Sequence, residues 1–315
     1  MAVKRGFLFI ISLMFSVNIF ASTLNKIVVF GDSLSDTGNL YEYFKHQLPP
    51  SPPYYQGRFS NGPVWVEIVA KNYYPKDPAL HLQDFAFGGA GVSYDRNSED
   101  DGEEGVMFTL SREIESYLLA NQDKADKKSL FAVWIGSNNY IASYATPMQT
   151  AADVNKSIRK SLELLAEKGA RNILVINIPD MGRSPAARMI YAQKELSLAS
   201  QLHNEDLAKN INELKQAYPQ VRWLLYDANA DFAKTLADPA KYGYTNITDT
   251  CYQSILDNIA SPKLVLAMAA AAKPTVNDAC DGYFFFDPVH PSAKTHEIMA
   301  TNVTKFLIKS GVKFG

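Results

Sequence analysis

The sequence predicts a single three-layer α/β/α domain built on a roughly five-stranded parallel sheet. Three observations predict it. Short β-branched and aromatic runs alternate with stretches of helical spacing through most of the chain, the pattern of a parallel sheet covered by helices on both faces. No internal repeat or low-complexity linker divides the 315 residues, a length one α/β domain can reach. The polar motifs follow the first three predicted strands, and in such sheets ligands bind beyond the carboxyl ends of the strands.

The elements follow in order. Residues 27–30 are a β-branched and aromatic run ended by Gly31, which reads as a buried strand and a turn. Residues 40–62 are rich in Pro, Tyr and Gly and read as a long loop, and 64–71 read as a helix. A second strand is expected over 82–87, closed by Gly88 and Gly89, and the acidic stretch 98–104 reads as a solvated loop. A helix over 112–121 precedes a third strand, 130–135, closed by Gly136. Val154, Ile158, Leu162 and Leu165 recur at helical spacing until Gly169. A fourth strand, 172–178, leads to a helical stretch over 186–217 that is one helix or two, and then to a fifth strand, 222–226. Residues 242–283 show no clear strand and read as an insertion beside the site. A final helix, 292–308, is opened by Pro291.

Lys4 and Arg5 precede an uncharged apolar stretch over 7–20, and Ala21 is a small residue at its end. This is the pattern of a secretory signal peptide over 1–21, and the stretch is short of the ~20 residues that span a bilayer. The expected product is a secreted or periplasmic chain, one domain over 22–315. In an exported chain the two cysteines, Cys251 and Cys280, suggest a disulfide closing the insertion at 251–280. The formal charge of −2 supplies no global basic field for nucleic acid. The five histidines are scattered without a His-Glu-x-x-His pattern, so neither a metal site nor a cofactor is expected. His296 reads as an exposed helix residue.

Four segments carry chemistry. Gly31-Asp32-Ser33-Leu34-Ser35-Asp36-Thr37-Gly38-Asn39 follows the first strand, so the Ser33 hydroxyl is held at the rim of the sheet, where backbone N–H groups favour negative charge. Asp84-Phe85-Ala86-Phe87-Gly88-Gly89-Ala90 follows the second, and paired glycines can bring a backbone N–H to an oxyanion. Gly136-Ser137-Asn138-Asn139 follows the third, with side-chain amides suited to the same task. In Phe286-Asp287-Pro288-Val289-His290-Pro291 a carboxylate precedes a histidine by three residues. A loop of that length can bring Asp287 to one ring nitrogen of His290 and leave the other facing a hydroxyl, the base a serine nucleophile needs.

Together these segments resemble, in order, the four blocks of the GDSL, or SGNH, hydrolase family. The resemblance spans Gly31 to His290. It implies the flavodoxin-like SGNH-hydrolase fold, with Ser33 as nucleophile, His290 as general base and Asp287 as its orienting carboxylate. The Ser33 N–H, the Gly89 N–H and the Asn138 amide would form the oxyanion hole. Two positions depart from the family pattern: Asn139 stands where Asp is usual, and Asp84 where Asn often opens the second block, which leaves Gly88 as an alternative to Gly89. The α/β-hydrolase elbow, Gly-x-Ser-x-Gly, does not fit Gly-Asp-Ser-Leu-Ser.

Arg58-Phe59-Ser60-Asn61-Gly62-Pro63-Val64-Trp65 resembles a segment of the family's lipolytic branch, which includes secreted bacterial lysophospholipase A proteins and glycerophospholipid–cholesterol acyltransferases. A lysophospholipid or phospholipid substrate, transient contact with a membrane surface and possible acyl transfer are implied. Tyr54, Tyr55, Phe59, Phe284, Phe285 and Phe286 are candidates to line an acyl groove. Leu264, Val265, Leu266 and Met268 form an apolar cluster in the cysteine-bounded segment, a candidate lid and a candidate site for an activating protease. Two other readings stay open: a carbohydrate O-acetylesterase, and a non-catalytic secreted binding module on the same fold.

Overall fold

The structure is a computed structural model describing residues 23–92, 108–142, 146–252 and 280–315. The expected signal peptide, the acidic stretch 98–104 and the apolar cluster 264–268 lie outside the described residues.

Five strands form one sheet: β1 (Lys26–Gly31), β2 (Leu82–Asp84), β3 (Ser129–Trp134), β4 (Asn172–Ile176) and β5 (Arg222–Tyr226). All pairings are parallel, in the order β2-β1-β3-β4-β5. This is the flavodoxin-like order, whose direction reverses between β1 and β3. The last β1–β3 pair is Gly31 with Trp134. Ser33 therefore lies two residues past the end of one strand, and Asn138 four past the other, on either side of the crevice where ligands bind in this architecture.

Alternate residues of each strand feed two cores, as the two-residue period of a strand requires. Val28, Phe30, Phe131, Val133, Ile173 and Val175 face one side. They are covered by α3 (Leu110–Ala120), α5 (Pro147–Glu167) and α7 (Gln193–Ala217). Ile27, Val29, Leu130, Ala132, Leu174 and Ile176 face the other, under α2 (Trp65–Tyr73), α8 (Ala228–Ala237) and α9 (Ala293–Lys309). Helix α5 shows why these residues form helices. Val154, Ile158, Leu162 and Leu165 give it one buried stripe. Thr146 caps its start by accepting the Gln149 N–H, Pro147 occupies its first turn, and Gly169 follows its end at φ +116°.

Three expectations are corrected. Residues 40–62 are not all loop: α1 (Asn39–Tyr43) and a 3-10 turn at Tyr55–Gly57 lie within or across that range. The stretch 242–283 contains β6 (Asn246–Thr250), which pairs parallel with β7 (Tyr283–Phe285) in a small second sheet. The second strand ends at Asp84 instead of 87. Of the alternatives for 186–217, the structure has two helices, α6 (Pro185–Met189) and α7, and it adds α8, which was not anticipated. Residues 85–87 leave β2, yet the Phe85 and Phe87 N–H groups still donate to the Val29 and Gly31 carbonyls.

Cys251 and Cys280 are joined by a disulfide, with Cα atoms 5.3 Å apart. Cys251 follows β6 and Cys280 precedes β7, so the bond staples the small sheet just before the chain enters Asp287 and His290.

Candidate active site

The turn after β1 is folded by its own carboxylates. Asp32 accepts the Leu34 N–H on Oδ1 at 3.0 Å, and its carbonyl accepts the N–H groups of Ser35 and Asp36. Asp36 is fully buried and accepts four backbone N–H groups, from Gly38, Asn39, Leu40 and Gly88. Asp84 accepts the Thr37 and Ala86 N–H groups, while Asn39 Nδ2 donates to the carbonyls of Asp84 and Ala86. The first two sequence blocks are thereby one hydrogen-bonded body.

The terminal block closes onto it. Asp287 Oδ1 accepts the N–H groups of Val289 and His290, which shapes the three-residue loop. Asp287 Oδ2 lies 2.6 Å from His290 Nδ1, and His290 Nε2 lies 2.8 Å from Ser33 Oγ. The three side chains predicted from sequence are therefore in hydrogen-bond contact, and all are buried. Burial alone would raise the Asp287 pKa, but the adjacent His290 and the hydrogen bonds outweigh it and hold the carboxyl below its usual value.

The sequence did not point to Tyr54 as a partner of this relay. Its hydroxyl donates to Asp287 Oδ2 at 2.8 Å. Burial, then the Asp287 charge, push the phenol well above its ordinary value, so Tyr54 remains a donor. A hydrogen bond to a charged group contributes about 1.5–3 kcal/mol. Tyr54→Phe is expected to lower kcat about tenfold with KM unchanged, measured on a soluble ester, because Tyr54 positions the carboxylate without lining the cavity described below.

The third block opens α4 (Ser137–Ala142). Asn138 Nδ2 donates to the Ala90 carbonyl at 2.9 Å, and among the described residues the second hydrogen of that amide meets no acceptor. Gly136 sits at φ +124°, and a Cβ there would meet His203 Cε1 at 2.8 Å. His203 is buried on α7, its Nδ1 is 2.9 Å from the Tyr140 hydroxyl, and burial pushes its pKa down to about 3. It is an uncharged support beneath the block. Asn139, where the family usually has Asp, accepts the Val92 N–H on Oδ1. Of the paired glycines, Gly88 commits its N–H to Asp36. The N–H groups of Ser33 and Gly89 meet no protein acceptor among the described residues.

The segment from Arg58 to Trp65 is a brace. Phe59 packs on His290 with ring centroids 5.0 Å apart. Ser60 Oγ donates to the Pro291 carbonyl, Asn61 Oδ1 accepts the Ala293 N–H, and Trp65 Nε1 donates to Ser35 Oγ. His296 is buried rather than exposed, because its Nδ1 accepts the Trp65 N–H at 3.2 Å. Burial and the nearby His290 push its pKa down to about 3.

A cavity of about 850 Å³ opens beside Ser33, Asn138 and His290 and runs past the ends of β4 and β5 between α7 and α8. This is within the size range of small-molecule sites. Much of its wall is apolar, including Ile141, Met181, Leu196, Phe232 and Leu236, with Asp180, Asn204 and Asp227 interspersed. Phe284 and Phe285 line it as expected. Tyr54, Phe59 and Phe286 do not. They pack with Leu40, Leu48 and Tyr252 in a separate buried cluster behind His290. Tyr55 is partly exposed and is not in the wall.

Three buried carboxyl groups, Asp32, Asp36 and Glu113, and the half-buried Asp84 lie under the turn after β1. Burial pushes Asp32 and Asp36 up to about 6. It pushes Asp84 and Glu113 well above their usual values, reinforced by the neighbouring carboxylates. Glu113 accepts the Gly31 N–H at 2.8 Å through Oε2, while Oε1 has no partner among the described residues. A carboxyl whose folded pKa is raised binds more protons folded than unfolded. Its stabilising contribution is complete below about pH 4 and is lost as pH rises through the folded value, about 6 for Asp32 and Asp36. Glu113→Gln keeps an acceptor for Gly31 and removes one such group. Thermal unfolding followed across neutral to mildly alkaline pH is expected to show a shallower fall in Tm for this variant than for the parent.

The sequence profile of the family described as GDSL-like Lipase/Acylhydrolase matches residues 27–303. The chain is 32% identical over 313 residues to a phosphatidylcholine-sterol acyltransferase of Aeromonas hydrophila, covering 90% of each chain. It is 27% identical over 293 residues to the secreted effector protein SseJ of Salmonella typhimurium, covering 92% of this chain and 65% of that one. Similarity to a thermolabile hemolysin of Vibrio parahaemolyticus is 25% over 283 residues, covering 88% of this chain and 62% of that one.

Proposed function

The chain belongs to the GDSL-like lipase/acylhydrolase family, and from that premise we propose that it is a secreted serine esterase of lipids, a lysophospholipase or phospholipase A that works through an acyl-enzyme. The observation that carries the reading is the Asp287–His290–Ser33 relay opening onto a largely apolar cavity of about 850 Å³. The phosphatidylcholine-sterol acyltransferase relative supports a phospholipid acyl donor. The sequence pattern over 1–21 supports export, with residues 22–315 as one domain.

In the proposed reaction, Ser33 Oγ attacks the acyl carbon as His290 Nε2 takes its proton. Asp287 stabilises the imidazolium and holds its tautomer. The negative charge on the acyl oxygen is met by the N–H groups of Ser33 and Gly89 and by the Asn138 amide, each typically worth about 3–4 kcal/mol of barrier. The alcohol leaves with the proton from His290. Water, deprotonated by His290, then attacks the acyl-enzyme and releases the fatty acid. A second alcohol at that step gives acyl transfer by the same route.

The test is fluorophosphonate labelling of the purified protein beside Ser33→Ala, followed by fatty acid release from lysophosphatidylcholine. Labelling lost in the variant, with fatty acid released by the parent alone, is the expected result. Labelling without lipid release would move the substrate to a sugar or other small ester. No labelling would overturn the enzyme reading in favour of a binding module.

A further inference from the structure

The cavity rim carries an apolar cluster that the fold does not use. Among the described residues, ten large hydrophobic side chains are exposed, and four of them fall between positions 189 and 198. Met189 is 37% exposed, Ile190 43%, Tyr191 90% and Leu198 48%. Single exposed apolar residues need no explanation, whereas a local concentration marks an interaction surface. Tyr191 sits in the turn between α6 and α7 at φ +56°. That backbone conformation is uncommon outside glycine and is strained for a bulky residue. The strain has no packing return inside the domain, because the ring is turned to solvent.

The patch is continuous with the cavity. Ile190 belongs both to the patch and to the cavity wall, and the exposed Arg183 lines the same wall. Lys194 and Leu198, one helical turn apart on α7, line a shallow depression that shares Ser197 and Gln201 with the cavity. The corner also carries an excess of cations. From Asp180 to Gln201 the charged residues are Arg183, Arg188 and Lys194 against Asp180 and Glu195, in a chain whose formal net charge is −2, and Asp180 is engaged by the Gly182 N–H and the Ser197 hydroxyl. An apolar group with a tyrosine, flanked by cations, matches the layered chemistry of a bilayer surface: acyl chains, interfacial zone and phosphates.

We propose that the α6–α7 corner, centred on Ile190, Tyr191 and Leu198 and flanked by Arg183, Arg188 and Lys194, docks the protein on an anionic phospholipid surface and brings the cavity mouth to the lipid. This rests on the lipid-esterase reading for its purpose, but binding is measured apart from catalysis. The patch residues enter the surface beside the cavity rim, so a lipid leaving the bilayer has a short apolar path to Ser33. The cations contribute through phosphate contacts that salt screens.

The test uses Ser33→Ala protein, which binds without turnover, and vesicles of equal parts phosphatidylcholine and phosphatidylglycerol. Met189→Ser/Tyr191→Ser/Leu198→Ser in that background is expected to weaken co-sedimentation about tenfold or more. Arg188→Gln/Lys194→Gln is expected to remove the preference over pure phosphatidylcholine vesicles. With Ser33 intact, the triple variant should hydrolyse a short soluble ester at the parental rate, which shows that it is folded, and lose hydrolysis of vesicle lipid. Undiminished vesicle binding by the triple variant would overturn the proposal. So would a parent that is dimeric and a triple variant that is monomeric, since the patch would then be covered by a second copy. Failure of the parent on every ester, with patch-dependent binding retained, would strike the esterase reading and leave the docking surface standing.

Discussion

Ser33→Ala, His290→Ala and the double variant are expected to lose nearly the same amount of activity, about 10⁴- to 10⁶-fold in kcat. The hydroxyl and the imidazole are joined by one 2.8 Å hydrogen bond, and in the proposed reaction they act in a single proton transfer. Removing either partner removes the whole step, so the losses do not add. Pre-steady-state and steady-state rates on a soluble ester, with thermal unfolding as a control for folding, would check this. Losses that multiply in the double variant would mean that the two side chains act in separate steps. Asp287→Asn is expected to fall short of this loss, since Ser33 and His290 remain while the imidazolium loses its counter-charge. Because the adjacent His290 and the hydrogen bonds hold the Asp287 carboxyl below its usual value, its stabilising contribution is present above the unfolded pKa and is lost as pH falls through the folded one. Acid is therefore expected to weaken this loop while it relieves the carboxyls of Asp32, Asp36, Asp84 and Glu113 under the turn after β1.

Asn138→Ala is expected to lower kcat by about 10²- to 10³-fold with little change in KM. One hydrogen of the Asn138 amide is held by the Ala90 carbonyl at 2.9 Å. That bond fixes the amide plane, so its other hydrogen is oriented before any substrate arrives and no reorganisation is needed during reaction. Asn138→Asp is the sharper variant, because it keeps the size and replaces two donors with acceptors that repel an oxyanion. A loss confined to KM would show that Asn138 binds the ground state instead. By contrast Asn139→Asp, which restores the usual family residue, is expected to leave kcat within a few-fold, since the carboxylate can still accept the Val92 N–H that Asn139 accepts.

The sequence by itself determined the architecture and pointed to the side chains that meet at the candidate site. Most strands are short and apolar, β1 ends at Gly31 and β3 is followed by Gly136, and helices carry one apolar stripe, so these elements are set by local sequence. The motif residues are legible for the same reason: Asp32, Asp36 and Asp287 fold their own turns by accepting N–H groups a few residues away. Only the tertiary structure decided contacts between distant segments. Tyr54 meets Asp287 across 233 positions, and His296 accepts from Trp65 across 231, and nothing in the spacing of either residue reveals its partner. The aromatics offered for an acyl groove divide for this reason. Phe284 and Phe285 line the cavity, while Tyr54, Phe59 and Phe286 brace His290 from behind. Composition marks an aromatic side chain as buried or half-buried, but the wall it belongs to is fixed by packing of several elements at once. The same holds for β6, whose mostly polar residues become a strand by pairing with β7 beside the Cys251–Cys280 bond, because the hydrogen-bonding partners of a strand are supplied by its neighbour and not by its own sequence.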